Sequence, residues 1–166
     1  GSPAKLAPIK YIVMGLFNLF KKSVFVQDDL FGRLQFIDSK DPSNNYFEGA
    51  GFFEPTQCDT EYLIQADIEG PTDEQRQFYL DLQANFEQYV EKITPLIEDE
   101  FQNWREDFKI TNFTEEFTLV CITIPRQDTH PLIWDMAFTT IHDLDHHVTI
   151  DFIGNELEPY IDSEYK

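Results

Sequence analysis

Glu61-Tyr62-Leu63-Ile64-Gln65-Ala66-Asp67-Ile68-Glu69-Gly70-Pro71-Thr72-Asp73-Glu74-Gln75 changes its period partway along, and that change decides the fold class. Tyr62, Ile64, Ala66 and Ile68 alternate with Glu61, Gln65 and Asp67, the pattern of a strand with one face in a core and the other in water. Gly70-Pro71 then breaks the run. Thr72 followed three residues later by Gln75 is a capping-box arrangement, so a helix is predicted to start there. Phe78, Leu82, Phe86, Val90 and Ile93 recur at spacings of three and four and predict one long helix with a single apolar stripe. Pro95 is expected to end or kink it near Thr94. A second, shorter helix is predicted from Leu96 to about Glu106, with Ile97, Phe101 and Trp104 on its apolar side.

Working outward, short alternating runs predict strands on both sides of this helical middle. On the N-terminal side they cover residues 24–26, 33–37, 46–53 and 61–68, the first two joined through the turn-like Asp28-Asp29-Leu30-Phe31-Gly32. Gly49 and Gly51 leave room in the third for a close neighbour or a bulge. On the C-terminal side the strands cover 117–124, 133–141 and 147–153, with Asp143-Leu144-Asp145 as a hairpin turn between the last two. The tail from Glu156 mixes acids with aromatics and is expected to pack at the sheet edge. Strands, then helices, then strands indicate an α+β domain, a mostly antiparallel sheet of about six or seven strands packed against a long helix and a second shorter one. Residues 24–166 read as this single domain, preceded by a Phe- and Lys-bearing segment at 14–23. Residues 1–13, ahead of Met14-Gly15, read as the remnant of a cleaved tag.

Charge gives the first functional expectation. The 31 Asp and Glu outnumber 12 Lys and Arg, for a formal net charge of −19 on 166 residues. The first 22 residues hold four Lys and no acid, so from Ser23 onward 31 acids face 8 bases, a balance of −23. Such a field repels nucleic acid, phosphates and anionic membranes and attracts basic proteins. With 42% hydrophobic residues, 16 Phe, 7 Tyr and 2 Trp, the chain is not a disordered acidic tail, and the charge must lie on a folded surface. A basic protein partner is the expectation. The plain alternative is an acidic surface that only keeps a protein dissolved. No nucleic-acid partner is expected, because Lys and Arg are few and scattered. The apolar run 11–20 is too short to span a bilayer, so no stable membrane insertion is expected either.

Cys58 and Cys121 are 63 residues apart and fit no ligand or disulfide spacing, which suits a reduced, cytoplasmic protein; Cys121 reads as a small buried hydrophobe. One cluster invites an enzymatic reading. His142, Asp143, Asp145, His146 and His147 gather three imidazoles and two carboxylates within six residues, a ligand set that zinc, nickel or iron could use. A turn between strands spreads such side chains over opposite faces, however, so a polar hairpin is the simpler expectation, with no metal and no cofactor. Neither a nucleophile elbow nor a phosphate-binding loop is present, and no catalytic residue is assigned. Aromatics among acids are instead what a protein interface uses. Glu98, Asp99, Glu100, Trp104, Glu106 and Asp107, at the end of the helical region, are the candidate partner-binding residues.

Three motifs also point to a family. They are Phe31-Gly32-Arg33-Leu34-Gln35-Phe36, the Thr72-x-x-Gln75 helix start, and the closing pair Trp134-x-Met136-x-Phe138 and His146-His147-Val148-Thr149-Ile150-Asp151-Phe152. Together, over residues 24–161, they resemble small acidic bacterial domains, several of which are immunity proteins of polymorphic-toxin and contact-dependent-inhibition systems. Where such domains carry Gly-Trp after the last strand, this chain has Gly154-Asn155. The resemblance implies an immunity protein that binds a cognate toxin and blocks it stoichiometrically. The competing readings are a metal-dependent enzyme centred on His142, Asp145, His146 and His147, and a cytosolic scaffold with no toxin partner.

Overall fold

A computed structural model of the chain describes residues 23–157 and 162–163. Residues 1–13, expected as a tag remnant, nearly all of the Phe- and Lys-bearing segment and most of the acidic tail lie outside these residues. Among the described residues the strands are β1 (Phe25–Asp28), β2 (Gly32–Ile37), β3 (Tyr46–Phe53), β4 (Cys58–Gln65), β5 (Phe117–Ile124), β6 (Ile133–Thr140), β7 (Asp143–Ile153), and the two-residue β8 (Glu156–Leu157) and β9 (Asp162–Ser163). The helices are α1 (Asp73–Ala84), α2 (Phe86–Phe101) and the single turn α3 (Phe113–Glu116). Strands β1 to β8 lie side by side in chain order, with β9 also paired to β7. Every pairing is antiparallel except β4 with β5, which run parallel. The parallel pair follows from connectivity: α1 and α2 carry the chain back along the sheet before β5 begins. The molecule is thus α+β with a mostly antiparallel sheet.

Both helices pack on one face of that sheet. Tyr79, Leu82, Phe86, Ile93, Ile97 and Phe101 from the helices join Leu34, Phe47, Phe53, Tyr62, Ile64, Ile122, Trp134, Phe138 and Phe152 from the strands in one buried core. Aromatic edges organise it. Tyr79 meets the rings of Phe31, Phe53 and Tyr62 at 5.2, 6.0 and 5.6 Å, while Phe78 and Tyr89 stand edge-on to Trp134, itself stacked on Phe152 at 4.3 Å. Such pairs add to burial about 0.5–1.5 kcal/mol each. Gly49 and Gly51 are where the sheet needs room: a β-carbon on Gly49 would lie 2.5 Å from the Leu34 side chain, and one on Gly51 2.6 Å from the Tyr62 hydroxyl. That hydroxyl donates to the Phe31 carbonyl beneath them.

The expected long helix and its shorter successor from Leu96 are divided elsewhere: the first ends at Ala84, and the second starts at Phe86, runs through Pro95 and stops at Phe101, short of Glu106. Thr72 caps α1 as expected, its side chain accepting from the Gln75 amide while the Gln75 side chain accepts from the Thr72 amide. The break then falls at Asn85 and not at Pro95. Asn85 leaves helical geometry (φ −110°, ψ 14°), and its side chain donates to the Asp81 carbonyl at 2.8 Å, the local competition with helix bonding for which Asn is known. Restarting there turns Phe86 onto Phe53, 5.1 Å away. Pro95 sits inside α2, and one turn below it the Thr94 hydroxyl donates to the Val90 carbonyl at 2.7 Å.

Smaller differences have similarly local causes. Strand β4 stops at Gln65, so Ile68 lies in the following loop and is exposed. The β6–β7 turn is Ile141-His142, and Asp143 already pairs with Thr140. A register shift between Leu119 and Cys121 sends both Leu119 and Ile122 to the core and moves Cys121 to the opposite face, where it is only half-buried. No helix among the described residues is long and apolar enough to cross a membrane.

Candidate partner-binding surface

The end of α2 is built from the inside outward. Ile97 and Phe101 are buried, and Phe101 stacks on Phe108 at 4.8 Å, which folds the loop after α2 back against its last turn. Trp104 leans edge-on against Phe101 at 5.3 Å yet remains 52% exposed; it belongs to the surface and not to the apolar side predicted for it. Asp99, Glu106 and Asp107 are exposed and Glu100 is half-buried. Glu98 differs from them. Its carboxylate accepts the Ile110 amide at 2.9 Å, lies 3.8 Å from the Lys109 ammonium and is only 14% exposed, so it fastens the returning loop and does not face a partner.

The loop has a second anchor that sequence reasoning missed. Glu116 is buried, and its carboxylate accepts from the amides of Thr111 and Asn112 and from the Thr111 hydroxyl, while the His142 ring lies 2.7 Å from its other oxygen. Burial pushes this carboxyl up, but those hydrogen bonds outweigh it and carry the pKa down to about 2. His142 also stands edge-on to Phe108 at 4.8 Å, and its carbonyl accepts from Arg105 at 3.0 Å. The patch therefore rests on a braced floor.

Its electrostatics run against the helix. The last turn of α2 carries Glu98, Asp99 and Glu100 and no base, although the C-terminal end of a helix is its negative pole, where an exposed acid is disfavoured by roughly 0.3–1 kcal/mol. The start of α1 does the reverse, placing Asp73 and Glu74 at the positive pole. A further carboxylate is paired there. Asp28, 4% exposed, accepts from the amides of Leu30 and Phe31 at 2.9 Å and from the Arg76 guanidinium. Burial raises its pKa, and the Arg76 pair with the two amides lowers it further, for a net depression. The only sequence signal for Asp28 was its place at the head of a turn.

The imidazole cluster does not assemble. His142 turns to Glu116, whereas His146 pairs through Nδ1 with Asp143 at 2.5 Å. No group of three or more His, Cys, Asp or Glu side chains among the described residues is arranged to hold a metal ion. Open grooves lie elsewhere on the described surface. One, of about 650 Å³, lies at the Asn85 break among Glu54, Phe86, Glu87, Val90, Glu91 and Phe113. Another, of about 410 Å³, sits beyond the ends of β4 and β5, where Arg126 pairs with Asp67 at 3.0 Å. Compared with protein-family models, with curated proteins and with solved structures, the chain has no match.

Proposed function

We propose that this chain is an immunity-type inhibitor, a cytoplasmic protein that binds one basic toxin domain and blocks it by stoichiometric occlusion. Acids gathered at the negative end of α2 carry this reading. Glu98 is held by Lys109 and the Ile110 amide, but Asp99 and Glu100 oppose the pole of their own helix with no base in its last turn, and a cationic partner would relieve them; local rules broken without internal compensation are where function is expected. Ion pairing leaves the field largely intact, because 31 acids stand against only 12 Lys and Arg in the chain, of which Arg76 pairs with Asp28 and Asp73, Arg126 with Asp67 and Lys109 with Glu98.

In this mechanism Asp99, Glu100, Glu106 and Asp107 steer the encounter, and Trp104 supplies an aromatic anchor inside the acidic rim. Steering can raise association to about 10⁸ M⁻¹s⁻¹ at low salt, while a few buried contacts set dissociation. The covered surface of the toxin would be its basic, substrate-binding cleft. The test is capture of a basic protein from the source cell at about 50 and about 300 mM salt, followed by titration of its toxic activity. The expected result is loss of activity with an equivalence point of one inhibitor per toxin domain. A captured protein whose activity survives excess inhibitor, or no captured basic protein from cells that express the toxin locus, overturns the reading.

A further inference from the structure

Resting on the reading that the partner is a basic protein, we infer that the open face of the sheet at β3 and β4 receives an extended segment of that partner whose facing side carries basic and apolar residues in turn. The face opposite the helices has a regular pattern there. Across the antiparallel pair, Glu48 stands opposite Leu63, Ala50 opposite Glu61, and Phe52 opposite Asp59. Across this pair each carboxylate thus faces an apolar neighbour, and Glu48 also stands opposite Gln35 on β2 and accepts from the Tyr46 hydroxyl at 3.4 Å; a solvated face more often sets acids against bases or hydroxyls across strands. Phe52 is 52% exposed, Phe25 on the same face is 44% exposed, and neither these nor Leu63 joins the core.

Charge selects the occupant. Arg33 is the only Lys or Arg in any strand of the described residues, and its guanidinium lies 4.0 Å over the Phe25 ring. The carboxylates converge: burial, then Asp135, Glu61 and Glu48, push the thiol of Cys121 on this face up to about 11. A second copy of the chain would bring like charge onto like charge, which costs several kcal/mol at an interface. An anionic surface is repelled for the same reason. An extended partner segment whose facing residues, every second position, are in turn basic and apolar would set cations against Glu48, Asp59 and Glu61 and apolar side chains against Leu63, Ala50 and Phe52, since side chains on one strand face repeat every two residues.

The probes are two labelled twelve-residue peptides of equal charge, repeats of Lys-Ser-Leu-Ser and of Lys-Ser-Ser-Ser, titrated into the full chain at about 100 mM salt. The expected result is that the Leu-bearing peptide binds about ten-fold tighter than the other, and that Glu48→Gln with Glu61→Gln, or Phe52→Ala alone, removes about ten-fold of that affinity. Glu87→Gln with Glu91→Gln, exposed acids of α2 on the other side of the sheet, should leave it unchanged. Phe52 is half-exposed, so thermal unfolding of each variant separates lost binding from lost folding. If the α2 variants weaken the peptide and the sheet variants do not, the sheet proposal is overturned while the basic-partner reading stands. Equal binding of both peptides overturns it too, because charge alone then suffices. No binding of either peptide to the wild-type chain overturns the proposal and removes support from the basic-partner reading itself.

Discussion

The start of α1 and the end of α2 are treated in opposite ways. At the start, Thr72 and Gln75 satisfy each other's amides, Asp73 and Glu74 lie at the favourable pole, and Arg76 reaches both Asp73 and the buried Asp28. At the end, three consecutive acids oppose the pole, Trp104 is left half in water, and order is imposed from outside by Glu98 and Glu116 gripping the returning loop. One terminus is arranged for stability. The other gives some up, and of its three acids Asp99 and Glu100, unlike the loop-holding Glu98, are those able to meet a partner.

Breaking the well-arranged end should have the largest effect. Arg76→Ala leaves the Asp28 carboxylate buried with only two amide donors, and a loss of about 3–4 kcal/mol is expected from urea unfolding; a loss under about 1 kcal/mol would mean the Leu30 and Phe31 amides suffice. The end of α2 should respond instead to acid. The Glu116 carboxyl falls from an ordinary 4.5 to about 2 on folding, so its contribution is complete above pH 4.5 and is lost as the pH drops from there through about 2. That contribution is at most about 3 kcal/mol. Unfolding followed over this range in wild type and in Glu116→Gln should show the wild-type acid slope reduced in the variant.

A smaller effect is expected from the cap. Thr72→Ala should cost about 1 kcal/mol without changing partner affinity. The smallest effect has the opposite sign: Asp99→Lys should stabilise the chain by roughly 0.3–1 kcal/mol, because it replaces a misplaced acid with a well-placed base. The same substitution should slow association with a basic partner. If it destabilises the protein, the two helix ends do not differ in the way described.

Much of this was readable where the signal is local. The capping box at Thr72 and Gln75, the strands Tyr46–Phe53 and Phe117–Ile124, and the space at Gly49 and Gly51 all depend on near neighbours or on period. What escaped the sequence is long-range. The bond of Asn85 to the Asp81 carbonyl is local, but that the break there sets Phe86 against Phe53, far away in the chain, is not, and no local rule ranks Asn85 above Pro95. Glu98 looks like its neighbours Asp99 and Glu100 until the loop brings the Ile110 amide back to it. His142 leaves its histidine neighbours because Glu116 waits across the sheet end, and Cys121 changes face through a one-residue bulge that periodicity does not announce.

The lone parallel pairing of β4 with β5 also sets an order of events in folding. Strands β1 to β4, and β5 to β7, are joined by short connections and can zip as neighbouring hairpins, a step of about 1–10 μs each. The seam between the two halves closes only after the chain from Gln65 to Phe117 has doubled back, and long-range pairings of this kind are slow because the entropy of closing the loop comes before the contacts that reward it. Each half carries its own aromatic layer, Phe47 and Phe53 on one side and Trp134 and Phe152 on the other. Until α1 and α2 bring them together, the growing chain holds two partial cores separated by its most acidic span, and mutual repulsion between such spans would keep neighbouring chains apart while the seam forms.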